Sequence, residues 1–323
     1  MRAAAVALVL LSGLLAGCGG GQSALEPQSR ASREIATLWW WMFVVACVVF
    51  AGAVGLLGIA WLRRRRAGLP VVEGERPRLN LALVLVFGIV IPIIVNVALF
   101  VIANFVVIKD TEAPAATTTP LTIEVAGRQW FWEVRYPGTE AVTANEVHIP
   151  ARANVELVAK SSDVVHSFWV PRLNRKIDMI PGQTSSIVID ASKPGVYRGQ
   201  CAEFCGVQHG NMAFLVIAEP PAHFASWLDK EAEPGHASPV FTRAGCGGCH
   251  SITGRATDNR FGPDLTHFGS RRTIAAGTLP NTRDDLAAWL RDPQAIKPGN
   301  KMPNLELGDD EIRSLVGFLE SNR

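Results

Sequence analysis

Two long apolar stretches, Leu38 to Leu62 and Leu79 to Ile108, dominate the first third of the chain. Each is long enough to cross a hydrocarbon layer about 30 Å thick, which predicts transmembrane helices over 38–62 and 81–108. The loop 63–80 between them carries Arg63-Arg64-Arg65-Arg66, and the positive-inside tendency puts it in the cytoplasm. Everything after Lys109 then lies on the outer face. Trp39, Trp40, Trp41 and Trp61 fall at the ends of the first helix, where indoles favour the interface. Cys47 reads as packing, Pro92 as a kink, and Asn96 as the donor of a hydrogen bond to another helix.

From Leu121 the period changes. Short alternating runs over Leu121–Val125, Trp130–Arg135, Glu146–Ile149, Val155–Ala159, Ser185–Ile189 and Ala213–Ile217, broken by Pro-Gly and Lys-Pro-Gly turns, predict an antiparallel sandwich or barrel within 109–220. Its first residues, Thr111 to Pro120, are a Pro, Ala and Thr linker. A second linker is expected over 221–238. The remainder, 239–323, shows helical periodicity at Thr282–Leu290 and Asp309–Leu319, with Asp309 or Asp310 as the cap of the last helix.

Before the first helix, Met1-Arg2, the apolar run Ala3 to Leu11 and Leu15-Ala16-Gly17-Cys18 have the architecture of a signal peptide. The cysteine at the cleavage point resembles a bacterial lipoprotein signal. That implies removal of 1–17, lipidation of Cys18 and a lipidated N-terminal segment over 18–37; an ordinary signal with an incidental cysteine is the alternative.

Composition supports a membrane link, because 48% of the 323 residues are hydrophobic and only 19% charged. A formal net charge of +2 gives no concentrated basic face, so nucleic acid is not an expected partner. The six cysteines group as Cys18, Cys47, Cys201 with Cys205, and Cys246 with Cys249, spacings that suit metal and cofactor chemistry better than a disulfide framework.

Cys201-Ala-Glu-Phe-Cys205-Gly-Val-Gln-His209-Gly-Asn-Met212 places two thiolates, an imidazole and a thioether in one loop, with His166 upstream. Soft sulfur with imidazole selects copper. Two cysteines suffice to bridge two copper ions, His166 and His209 ending one each, Met212 and the Glu203 carbonyl as weak axial contacts. Structural zinc is the alternative, but a tetrahedral zinc site has no use for Met212. His148 and Met179 are left over as core or surface residues.

These residues resemble the CuA domain of cytochrome c oxidase subunit II, over about Leu38 to Pro220 and including Gly127-Arg-Gln-Trp130-Phe-Trp132. The resemblance implies a two-helix hairpin carrying a cupredoxin-like sandwich with a dinuclear centre. It also implies that electrons arrive at Trp130, and that the Glu203 side chain helps bind magnesium at the contact with subunit I.

Cys246-Gly-Gly-Cys249-His250 is the attachment signal for c-type haem: two thioethers from the cysteines and the adjacent imidazole on iron. A redox Cys-x-x-Cys is the bland alternative, without the βαβ pattern it needs. Met302 is the one downstream methionine and so the expected second axial ligand, with His267 as runner-up or a surface residue. The segment resembles an all-α class I cytochrome c domain, in which Pro263 of Gly262-Pro263-Asp264-Leu265 would orient His250. Trp289 is expected to pack on the haem side.

Fused cytochromes of this kind resemble caa-type oxidases. The implied function is electron transfer from haem to copper and on to subunit I, where oxygen is reduced with proton translocation. Implied partners are subunits I and III, a cytochrome c or bc complex as donor, and the lipid of a bacterial inner membrane. A nitric-oxide reductase with the same copper unit and a membrane-tethered copper chaperone remain as alternatives. From Lys109 to Pro220 there are ten basic and twelve acidic residues, too even a balance for long-range steering of a basic donor.

Overall fold

A computed structural model of the protein describes residues 20–65, 77–108, 121–236, 238–252 and 261–323. Cys18, the signal segment 1–17 and the Thr111–Pro120 linker lie outside them. The chain divides into two compact units, Arg33–Thr111 and the remainder.

The smaller unit is helical. Helix α1 spans Arg30–Arg65, starting well before the apolar run because Ser29 caps it: the Ser32 N–H donates to Ser29 Oγ at 2.9 Å. The second apolar run forms α2 (Pro77–Leu85) and α3 (Ile91–Ile102), with π-helical turns at Val86–Val90 and Ala103–Ile108. The first π turn directly precedes Pro92, which has no N–H to donate and cannot sit in an unbroken helical ladder. Asn96 differs from expectation: its amide donates to the Pro92 carbonyl one turn back at 2.8 Å, within its own helix. The stretches Arg30–Leu62 and Leu81–Phe105 are long and apolar enough to cross a membrane, and no residue in the most apolar part of either is buried within the protein. So large an apolar surface cannot rest against water, and the protein is membrane-anchored.

The larger unit holds a β-sandwich. One sheet has the order β3-β2-β1-β5-β8 and the other β4-β10-β9-β6-β7. The strands are β1 (Thr122–Arg128), β2 (Phe131–Arg135), β3 (Val142–Ala144), β4 (Glu146–Pro150), β5 (Val155–Ser161), β6 (His166–Trp169), β7 (Ile177–Met179), β8 (Thr184–Ile189), β9 (Gly195–Cys201) and β10 (Ala213–Glu219). Strict alternation on β1 sends Ile123 and Val125 inward, where they meet Trp132, Leu157 and Phe214, all fully buried. Each such side chain contributes roughly 1.5–3 kcal/mol by leaving water. The sandwich is not wholly antiparallel as expected, since β1 pairs with β5 and β10 with β4 in parallel. Met179 belongs to the core.

Two segments thought to be connections are anchored. Residues before α1 lie along the sandwich, with Gln28 N–H donating to the Arg172 carbonyl and Ser192 N–H to the Gln28 carbonyl. The 221–238 stretch carries helix α4 (Pro221–Glu231), whose Trp227 stacks on His148 at 3.9 Å and meets Tyr136 edge-on at 5.1 Å. His148 is thus buried, under Trp227. Burial lowers its pKa, but bonds to Glu146 and Glu219 outweigh that and leave it raised.

The C-terminal domain builds a second core from Phe241, Leu286, Leu290, Ile312, Leu315 and Leu319. Its helices are α5 (Pro239–Arg243), α6 (Arg283–Arg291), α7 (Pro293–Ile296) and α8 (Asp309–Ser321), joined by a two-residue ladder, β11 (Thr273–Ile274) with β12 (Leu279–Pro280). Thr282 caps α6 by accepting from Asp285 N–H. The cap of α8 is Gly308, not Asp309 or Asp310; Glu311 reaches back to the Gly308 N–H at 3.1 Å, while the two aspartates occupy the positive first turn.

Candidate metal and haem centres

The sulfur loop joins β9 to β10, which are antiparallel neighbours, so its two ends must meet. The Cys201 N–H donates to the Met212 carbonyl at 3.0 Å and closes the neck. Strand β6 lies on the other side of β9, with Phe168 opposite Cys201, and brings His166 alongside. Gly127 leaves the space for that imidazole: a Cβ there would sit 2.8 Å from the ring.

The side chains form a chain of close contacts. His166 Nδ1 lies 3.9 Å from Cys201 Sγ, which lies 3.8 Å from Cys205 Sγ. Cys205 Sγ is 3.7 Å from His209 Nδ1 and 3.8 Å from Met212 Sδ. The Glu203 carbonyl is 3.2 Å from Cys201 Sγ. His166, both cysteines and Met212 are buried, as a water-excluding soft site requires.

His166 Nε2 faces Asp163 Oδ1 at 2.8 Å. The carboxylate can only accept, so Nε2 carries the proton and the Nδ1 lone pair is turned to the sulfurs. Asp163 is itself fixed by the N–H groups of Gln129 and Val164, both at 2.7 Å. Burial raises its pKa, but the His166 bond and these two amides more than offset that and hold it low. The cysteines share their protons: the bond from Cys205 pulls Cys201 far below an ordinary thiol, with help from His166, and that charge pushes Cys205 up. Two thiolates this close need cations between them. The donor set, two adjacent sulfurs with an imidazole beyond each, a thioether and a carbonyl, fits a pair of copper ions.

The Glu203 carboxylate points outward and pairs with Lys176 at 3.3 Å. Trp130 turns its indole N–H to the Cys205 carbonyl at 3.0 Å, and the Gln129 amide donates to the same oxygen at 2.8 Å. Gly206, at φ +113°, lets Trp130 approach.

Trp130, with Gln129, Phe131 and Asn145, also forms one wall of an apolar cavity whose remaining lining comes from the C-terminal domain, including Cys246, Cys249, His250, Met302 and Trp289. His250 Nδ1 donates to the Pro263 carbonyl at 2.8 Å, which keeps its Nε2 free of a proton. Burial lowers the His250 pKa and favours the neutral, metal-binding form. His267 does not line the cavity; it is buried, with Nε2 donating to the Glu233 carbonyl at 3.1 Å. Arg271 does, buried, with a guanidinium Nε that meets no acceptor among the described residues. An apolar cavity lined by two attachment thiols, a neutral imidazole, a thioether and a guanidinium with one donor unmet and another on the Asp264 carbonyl fits a haem, a flat apolar ring with anionic carboxylates.

Sequence reasoning passed over Asp163, Arg271 and Lys297, the last a buried wall residue of the same cavity. Only Asp163 left a signal, three residues before His166 in a segment already singled out.

Comparisons with known proteins divide the chain in the same way. The family described as Cytochrome C oxidase subunit II, periplasmic domain, matches residues 139–219, and the family described as Cytochrome c matches residues 237–323. Cytochrome c oxidase subunit 2 of Alkalihalophilus pseudofirmus is 32% identical over 97% of this chain and 95% of its own length. The Bacillus sp. (strain PS3) protein of the same name is 32% identical over 72% of each chain. A crystal structure of the periplasmic domain of subunit II of cytochrome oxidase of Bradyrhizobium japonicum is 28% identical, with a TM-score of 0.34, over 36% of this chain and 96% of that one.

Proposed function

The chain belongs to the cytochrome c oxidase subunit 2 family, and from that premise we propose that it passes electrons from its own haem, through Trp130, to a pair of copper ions and on to subunit I. One observation carries this reading. Trp130 borders the haem cavity on one side and is hydrogen-bonded to the backbone of the copper ligand Cys205 on the other.

Copper and haem, once bound, supply the two redox couples; the protein supplies position. Cys201 and Cys205 would hold the copper pair together with His166 and His209, with Met212 and the Glu203 carbonyl as weaker donors. Cys246 and Cys249 would attach the haem by thioethers, and His250, oriented by Pro263, and Met302 would ligate its iron. The exposed Glu203 carboxylate offers oxygen ligands to a magnesium ion at the contact with subunit I, the rest coming from water and that partner. Subunit I reduces oxygen to water with proton translocation, subunit III completes the complex, and a cytochrome c or bc complex reduces the haem. The relatives' names favour oxygen over nitric oxide as acceptor. The two apolar helices anchor the chain in a bacterial inner membrane with both redox domains on the outer face, and a lipidated Cys18 would add a second hold.

A tethered donor meets its acceptor at high effective concentration. In the purified full chain, photoreduction of the haem should therefore be followed by copper reduction that is first order and insensitive to protein concentration and ionic strength. A rate proportional to concentration would sink the reading.

Asp163 sets the tautomer of His166, so Asp163→Asn should weaken copper binding about 10–100-fold, the usual cost of losing the partner of a ligating imidazole. Competition with a copper chelator measures it. Unchanged affinity would confine Asp163 to shaping its own turn.

A further inference from the structure

We propose that Lys297 is a positioning residue for the electron-transfer contact, an ammonium that pins the haem domain to the main chain of Trp130. Its Nζ donates to the Trp130 carbonyl at 3.2 Å and to the Ala275 carbonyl at 3.0 Å, one acceptor from each domain. The residue is 2% exposed, and among the described residues it forms no ion pair. A cation in that position is costly to bury unless its hydrogen bonds are made, and burial pushes its pKa down to about 7. Such a residue fills no gap that an apolar side chain would not fill better. Its use lies in the two carbonyls it joins.

A second tie lies beside it, where the Gln208 amide of the sulfur loop donates to the Pro298 carbonyl. Buried Glu146 accepts the N–H groups of Arg272 and Thr273 at 2.7 and 3.2 Å, and the Ala213 N–H donates to the Ala276 carbonyl at 2.9 Å. Asp163 and Lys301 form a loose pair at 3.8 Å. These contacts hold the domains together around the rim. Lys297 alone among them grips Trp130, whose indole bonds to Cys205 and whose ring faces the haem cavity, so it fixes the gap the electron must cross.

This inference rests on haem-to-copper transfer through Trp130. The test compares wild-type chain with Lys297→Met, which keeps length and apolar bulk, and Lys297→Gln, which keeps a donor for one carbonyl. Three quantities are followed in the full chain: haem reduction by a small external reductant, intramolecular haem-to-copper transfer after photoreduction, and hydrogen exchange of the Ala213 amide. Lys297→Met should slow the internal step roughly tenfold relative to external reduction of the same variant, as the fixed geometry is lost, and should speed Ala213 exchange. Lys297→Gln should fall between. Wild-type internal rates and exchange in both variants would overturn the role of Lys297, whereas absence of internal transfer in the wild type itself would instead overturn the reading it rests on. If Lys297→Met does not retain haem, exchange is compared on haem-free wild type and variant, and equal exchange in the two refutes the pin.

Discussion

Cys205→Ser will reduce bound copper from two ions per chain to one at most and will abolish haem-to-copper transfer, while the haem still loads and still accepts electrons. Cys205 is the hub of the loop: its sulfur is within 3.8 Å of Cys201 Sγ, of His209 Nδ1 and of Met212 Sδ. Remove it and the site falls into two halves with nothing shared. His166 and Cys201 remain as a two-donor fragment, still oriented by Asp163. His209 and Met212 remain as another, without a thiolate. A hydroxyl does not replace the lost ligand, because serine stays protonated and is hard where the metal is soft. Loss of the second sulfur also relieves the shared-proton arrangement, so Cys201 should titrate closer to an ordinary thiol. Metal analysis gives the stoichiometry, and paramagnetic resonance should change from one spin spread over two nuclei to the pattern of a single ion. Two copper ions retained in the variant would show that Cys205 does not bridge.

The chemistry of this chain was legible in its sequence because soft ligands and attachment thiols come in close spacings that other uses rarely require. Cys201 to Met212 and Cys246 to His250 are each one loop, so a linear reading captures them whole. The fold was legible where the hydrophobic period was long. Both apolar runs became helices, although Ser29 moved the first boundary to Arg30 by capping ahead of the apolar stretch. Strand β9 was missed for a physical reason. Gly195–Cys201 alternates buried and exposed residues strictly, but several are Gly, Arg or Gln, which do not register as a strand until a neighbour covers them. The parallel pairings of β1 with β5 and β10 with β4 are properties of topology, which no local pattern encodes.

Charges were the least legible of all. Nothing in the sequence marks Arg271 or Lys297 within a polar, loop-rich segment, yet both are buried at the cavity. Burial there comes from the Cu domain closing over the C-terminal domain, a contact between residues more than a hundred positions apart. The same holds for His267, expected as a runner-up ligand or a surface residue, which is buried and ties the cytochrome core to the Glu233 carbonyl beyond α4. The Asp264 carbonyl takes one donor of Arg271, and a cofactor with anionic groups would take the other; a contact between domains explains Lys297.

Gly262→Ala should cost the protein its properly ligated haem, although the substitution adds one methyl group and lies outside the attachment signal. A Cβ at Gly262 would stand 2.6 Å from His250 Cε1, 2.8 Å from Nδ1 and 3.0 Å from Nε2, so it meets the ring itself and not the end of a flexible chain. The ring cannot retreat freely. Its Nδ1 is held by the Pro263 carbonyl at 2.8 Å, and moving away from Gly262 breaks that bond, which fixes the tautomer. Overpacking of this kind costs about 1–3 kcal/mol, and here the strain falls on the imidazole that must reach the iron. Gly248→Ala is the control, inside Cys246-Gly-Gly-Cys249 yet with open space where its Cβ would go, so it should load haem normally. Haem content and the visible spectrum of the two purified variants, with their thermal midpoints, separate the cases. Normal haem content and an unshifted spectrum in Gly262→Ala would show that the imidazole does not depend on the absence of that methyl, and that Pro263 alone places His250.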